Sequence, residues 1–177
     1  PDTIRPALEI FGVKKGYRKA AGMYLMMTKQ GPLFFADTTL HMDPSAEELV
    51  EITLLAAEQV RLFNIEPRVA LLSYARTKKV REAVQILHRD HPELIADGEM
   101  QANMALNQAL IREQFPFSVL AQNRPNTLIF PNLESGNIAY KLIQEIGGAE
   151  AIGPILLGLS KSVHVLQLGS SVREIVD

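Results

Sequence analysis

The sequence predicts an α/β fold of three layers, αβα, built on a mostly parallel, doubly wound sheet with an antiparallel hairpin at its edge. Three observations carry this. Continuous apolar runs at residues 69–72 (VALL) and 127–130 (TLIF) read as strands covered on both faces. Stretches with apolar residues every three or four positions lie between such runs, so helices alternate with strands and the crossovers are right-handed. Finally, GMYLMMTKQGPLFFADTTL alternates weakly and breaks at Lys29-Gln30-Gly31, as a hairpin does when it turns on glycine. This hairpin occupies residues 20–40 or so, and its second arm runs into Asp37-Thr38-Thr39.

The elements follow in order. In DPSAEELVEITLLAAEQVRLFN, Ser45 and Glu48 have the S-x-x-E spacing of a capping box, and Leu49, Ile52, Ala56, Val60 and Phe63 form one buried stripe. The strand at 69–72 leads to a helix over 77–88 with Val80, Val84 and Leu87 on one face. Leu94-Ile95-Ala96 reads as a strand ending in an acidic turn, Asp97-Gly98-Glu99. A helix over 101–113 turns Ala102, Leu106, Ala109 and Leu110 inward. After the strand at 127–130, PNLESGNIAYKLIQEIGG turns and opens a helix with Asn137 as its N-cap and Ile138, Leu142 and Ile146 on its apolar face. Gly147-Gly148 stops it. Ile155-Leu156-Leu157 and Val163-His164-Val165-Leu166 supply further strands, and 172–177 begins a helix that the chain does not finish. Both ends look cut, so residues 1–177 read as a single domain that is a fragment of a larger chain.

Composition removes several function classes. A chain of 177 residues with 47% hydrophobic content buries a sizeable core. Lys plus Arg is 18 against 20 for Asp plus Glu, a net charge of −2, so no basic excess draws the chain to nucleic acid. No apolar run approaches the roughly 20 residues of a membrane span, and the start lacks the order of a secretion signal, which makes a soluble, cytoplasmic protein the expectation. The absence of cysteine rules out disulfides, thiolate zinc sites and a cysteine nucleophile. His41, His88, His91 and His164 form no H-x-x-x-H pair, so no metal site is expected.

In a doubly wound sheet, ligands gather beyond the carboxyl ends of the strands. Polar turns fall there at Ser73, at Asp97 and Glu99, between Asn132 and Asn137 with Ser135 inside, and at 158–161 with Lys161. Each has two uses, as turn former or cap and as ligand contact. Ser73 lacks the G-x-S-x-G of a serine hydrolase, and the Gly147, Gly148, Gly153, Gly158 series matches no phosphate-cradling motif. His164, within VHVLQ, reads as a core or interface histidine.

Four blocks in order, GPLFFADTTLHMDPSAEELVEI, LIADGEMQANMAL, TLIFPNLESGNIAYKLIQEIGGAEAIGPILLGL and VHVLQLGSSVREIVD, resemble the C-terminal half of phosphate acetyl/butyryl transferase domains. Within that family the chain looks most like the phosphotransacetylase-related domain at the C-terminal end of large bacterial NADP-dependent malic enzymes. The resemblance implies that DGEMQ, with Asp97, Glu99 and Gln101, and PNLESGNIAYK, with Asn132, Ser135 and Asn137, line a cleft for CoA or acyl phosphate. It also exposes a departure. The transferases carry Ser-Arg-Gly followed by an acid just before Ile-Val, and these groups are implicated in acetyl transfer; the aligned positions here hold Gln167, Leu168 and Glu174. An arginine fork gives a phosphate charge-assisted bonds of roughly 1.5–3 kcal/mol each, and leucine gives none.

A second departure follows Ser73. The family inserts a glycine- and serine-rich loop before the next helix, whereas here residues 74–77 run almost directly into it. Either the loop is deleted, or it is mobile and missing from the stretch of sequence. The resemblance therefore implies a regulatory and oligomerising domain that takes acetyl-CoA or a related effector without transferring acetyl. The parent would oxidatively decarboxylate malate with NADP and Mg or Mn, both held by upstream domains of the same chain, in a homo-oligomer of at least two copies. The alternative is an active phosphate acetyltransferase.

Overall fold

The computed structural model describes residues 20–159 and the backbone of 163–164. Strand β1 (Ala21–Thr28) turns at Lys29 and Gln30 into β2 (Gly31–Ala36), with Gly31 at φ +99° and the Thr28 hydroxyl donating to the Gly31 carbonyl at 2.8 Å. Helix α1 (Ala46–Leu62) follows, then β3 (Arg68–Leu72), α2 (Lys78–Asp90), β4 (Ile95–Met100), α3 (Ala102–Ala105), α4 (Gln108–Gln114) and a 3₁₀ turn at Val119–Ala121. Strand β5 (Thr127–Ile129), α5 (Leu133–Gly147), β6 (Glu150–Leu157) and β7 (Val163–His164) complete the order.

The seven strands form one sheet in the order β4-β3-β5-β2-β1-β6-β7. Pairs from β4 to β2 are parallel; β2-β1, β1-β6 and β6-β7 are antiparallel. The hairpin therefore stands where the parallel half meets the antiparallel half, and β6 and β7 carry the sheet beyond it. Helices α1 and α2 cover one face through a core that includes Phe34, Leu49, Ile52, Val69 and Leu87. On the other face α3, α4 and α5 cover Tyr24, Met26, Phe35, Ala70 and Leu128. There the Tyr24 and Tyr140 rings stack with centroids 4.0 Å apart, which seats α5 on β1.

Helix α1 matches its sequence pattern. The Ser45 hydroxyl accepts from the Glu48 N–H at 3.1 Å, and Leu49, Ile52, Ala56 and Val60 are buried, with Phe63 partly exposed beyond the last turn. Four other expectations change. Asp97-Gly98-Glu99 is no turn: β4 continues to Met100, and a Cβ on Gly98 would stand 2.6 Å from the Leu71 carbonyl oxygen, so that glycine serves a crowded strand pair. The helix expected over 101–113 is two, broken at Asn107, whose side chain caps α4 through the Leu110 N–H; Ala105 and Ile111 are buried while Ala102 and Ala109 face out. The N-cap of α5 is Asn132 and not Asn137, which lies within the helix. And Ile138, Leu142 and Ile146 are exposed, because α5 lies on the sheet through Gly136 and Tyr140.

Candidate functional site

The carboxyl ends of β3 and β4 open into a cleft of about 430 Å³ lined by Ser73, Tyr74, Arg76, Gln101, Met104 and Phe115, among others. Its wall is fixed by Glu99. That carboxylate accepts from the Ser73 hydroxyl at 2.6 Å and from the Thr77 N–H at 2.6 Å, so it caps α2 from a neighbouring strand. Capping from outside is needed because the Thr77 side chain makes no cap bond. The Arg81 guanidinium lies 3.6 Å from the other Glu99 oxygen. Gln101 donates to the Tyr74 carbonyl at 3.0 Å and ties the rim together. Residues 73–77 carry the chain directly from β3 to α2, with Arg76 at φ +41°. Arg76 is exposed at the mouth and has no carboxylate partner among the described residues. The cleft thus offers a free cation, an exposed aromatic ring and apolar surface, beside a carboxylate already held by two donors.

Of the residues singled out in the sequence, Ser73, Glu99 and Gln101 meet at this cleft. Asp97 does not line it. Its carboxylate accepts from the Ser118 hydroxyl at 2.6 Å and from the Gly98 N–H at 2.9 Å, fastening β4 to the 3₁₀ turn. Asn132 and Ser135 are the start of α5: Asn132 accepts from the Ser135 N–H at 2.9 Å, and the Ser135 hydroxyl donates to the Asn132 carbonyl at 2.9 Å. Asn137 is partly buried in that helix, and its side chain makes no hydrogen bond among the described residues. Lys161, Gln167 and Glu174, the side chain of His164, and the segments at 165–166 and 172–177 lie outside the described residues.

A second polar cluster escaped the sequence reading. Asp37, 2% exposed, accepts from the backbone N–H groups of Gly22, Thr39, Leu40 and His41 and from His41 Nδ1 at 2.5 Å. The far ring nitrogen of His41 lies 3.5 Å from a Glu48 oxygen. This cluster locks the end of β2 to β1 and to α1. The spacing Asp37, His41 carries an i, i+4 signal only if the segment is helical, and here it is a loop, so nothing in the pattern marked it. Among the described residues no group of three or more His, Cys, Asp or Glu is placed to hold a metal ion, and no helix is long and apolar enough to cross a membrane.

The sheet order, the cleft and the four sequence blocks converge on one lineage, and a profile described as phosphate acetyl/butaryl transferase matches residues 1–177. The chain belongs to that family. Its relatives divide between two kinds of protein. An NADP-dependent malic enzyme of Haemophilus influenzae is 41% identical over 177 residues, which are 96% of this chain and 23% of that protein. A phosphate acetyltransferase of Bacillus subtilis is 37% identical over 182 residues, covering 98% of this chain and 56% of the relative. Among solved structures, a phosphotransacetylase from Streptococcus pyogenes superposes with a TM-score of 0.89 at 40% identity, over 98% of this chain and 56% of that one. This phosphate acetyl/butaryl transferase unit therefore spans about a quarter of the malic enzyme and about half of the acetyltransferases.

Proposed function

We propose that this domain is a regulatory and oligomerising module of an NADP-dependent malic enzyme, and that its cleft takes acetyl-CoA or a related CoA-type effector without acetyl transfer. The observation that carries the reading is the state of the cleft. Its carboxylate, Glu99, is committed to Ser73 and Thr77, whereas Arg76 and the Tyr74 ring are free to meet a phosphate and an aromatic base. Among the described residues the cleft offers binding groups, and its Ser73–Glu99 hydroxyl–carboxylate pair is taken up in capping α2. Gln167 and Leu168 at the positions of the transferase serine and arginine support the same conclusion. In the parent, NADP and Mg or Mn would be held by upstream domains, which would oxidise malate.

An effector changes malate turnover only if it binds two conformations with different affinity, a coupling of typically 1–3 kcal/mol. Calorimetry of acetyl-CoA with the intact protein, beside malate oxidation with and without acetyl-CoA, tests both halves. The second reading, an active phosphate acetyltransferase, is favoured by the 37% and 40% identities to acetyltransferases. Acetyl phosphate formation from acetyl-CoA and phosphate decides between them: turnover at ordinary transferase rates defeats the regulatory reading.

A further inference from the structure

The cleft at the carboxyl ends of β3 and β4 is built unevenly. Its walls are soft and apolar at Met100, Met104, Leu110 and Phe115, whereas Arg76 and Tyr74, the latter 88% exposed, stand at the mouth. Phe115 is braced edge-on by Phe117, with ring centroids 5.7 Å apart, and the Gln101 amide fixes the backbone that carries Tyr74. The charge is uneven as well. Arg76, Lys78, Lys79 and Arg81 crowd the entry to α2, whose first turn holds no acid. Glu82, Asp43 and Glu99 answer Lys78, Lys79 and Arg81 at 3.7, 2.7 and 3.6 Å, and Arg76 is left without a carboxylate among the described residues. Glu99, which also lines the cleft, is turned to Ser73 and Thr77.

We propose that the cleft holds the adenine nucleotide end of its ligand, with the base between the apolar walls and a phosphate on Arg76, and leaves the pantetheine arm and its acyl group outside. This rests on the CoA-type reading above and extends it: an adenine nucleotide without the arm is a ligand in its own right, and acetyl-CoA has no advantage over CoA. Size, surface and charge select this end. The cleft, about 430 Å³, lies near the low end of small-molecule sites, which span about 300–1,000 Å³, so it has room for a nucleotide but not for a whole acyl-CoA. A flat heterocycle gains stacking and apolar burial against the aromatic rings and the methionines. The arm, a flexible and uncharged chain of amides, would lose its rotational freedom there and leave Arg76 unanswered. Gln101, Asn103 and Gln114 add primary amides to the lining, and an amide's paired acceptor and donor match the N6 and N7 edge of adenine. An acyl phosphate of acetyl size would meet the cation and leave the apolar walls wet.

Calorimetry of the intact protein with adenosine 3′,5′-bisphosphate, pantetheine, pyrophosphate, CoA and acetyl-CoA tests it. The bisphosphate displaces acetyl-CoA and pantetheine does not; pyrophosphate binds at least about tenfold more weakly than the bisphosphate, and CoA and acetyl-CoA agree within about fivefold. Tyr74→Ala, at an exposed position where folding is unaffected, weakens the bisphosphate by roughly 5- to 100-fold, as removal of a ring beneath a base does, and leaves pyrophosphate unchanged. Acetyl-CoA that binds and resists displacement by the bisphosphate overturns the proposal. So does a wider gap between CoA and acetyl-CoA, a pyrophosphate affinity close to that of the bisphosphate, or an unaltered affinity in Tyr74→Ala. Failure of the regulatory reading looks different: the bisphosphate binds and Tyr74→Ala weakens it, yet acetyl-CoA leaves malate oxidation unchanged, which rejects regulation and keeps the nucleotide site. Silence of every probe overturns both.

Discussion

Replacing Asp37 with asparagine isolates the charge that locks β2 to β1 and α1. The asparagine oxygen can keep the N–H groups of Gly22, Thr39 and Leu40, which share Asp37 Oδ1. The new amide then stands where Oδ2 accepted from the His41 N–H at 2.9 Å and from His41 Nδ1 at 2.5 Å. A carboxylate only accepts, so Nδ1 carries the proton there and two donors are left facing a third. Hydrogen bonds to a charged group are worth roughly 1.5–3 kcal/mol each, and partial rearrangement lowers the sum, so the expected loss is about 3 kcal/mol. With a urea dependence of about 2 kcal/mol per molar, the unfolding midpoint of this domain falls by about 1.5 M. Hydrogen exchange of peptides from β1, the 37–41 loop and α1, read against urea in the intact protein, measures that midpoint. A fall below about 0.3 M refutes the account, for it would mean that the carboxylate is replaceable by a neutral acceptor.

Gly136→Ala should lower stability by about 1–3 kcal/mol despite better helix propensity, because the added Cβ would stand 2.9 Å from the Asp37 carbonyl oxygen; a raised melting temperature would contradict this. Asn132→Ala should cost about 1 kcal/mol through loss of the α5 cap, and Asn137→Ala less than about 0.5 kcal/mol, so denaturant curves of the pair distinguish the true cap from the expected one. Arg76→Ala should weaken acetyl-CoA binding about tenfold in calorimetry without moving the melting temperature, and equal affinity would remove the cation from the cleft's chemistry. Lys79, hydrogen-bonded to Asp43 at 2.7 Å, holds that carboxyl below the usual aspartate range by the bond first and by charge second. A depressed folded-state value means that the pair favours the fold at neutral pH and that the benefit is lost as pH falls through that value. NMR titration should show Asp43 protonating late, and Lys79→Met should return it to the ordinary range.

Much of the architecture could be read from local pattern. Helix α1 was legible because its cap, its stripe and its burial agree: Ser45 sets the start and Leu49, Ile52, Ala56 and Val60 face the sheet. The strands at β3 and β5 were legible because both faces are covered and their residues are uniformly apolar. Misreadings arose where a residue type has two physical uses. Gly98 and Gly136 suggested turns, yet each is a point of close backbone approach inside a regular element. Ile138, Leu142 and Ile146 suggested an inward face by their spacing alone, but the small Gly136 and the stacked Tyr140 decide which side of α5 meets the sheet. For the cleft, Ser73 and Glu99 were singled out from their place at strand ends and Gln101 from the family resemblance, while Tyr74, Arg76, Met104 and Phe115 became visible only once the fold brought them to one rim. The partners of Asp37 are loop amides, and no spacing rule announces a loop that wraps a carboxylate.

The pairing of Ala21 with Leu157 brings the first and sixth strands together across most of the described sequence, so this antiparallel pairing in the sheet forms only after a long loop has closed.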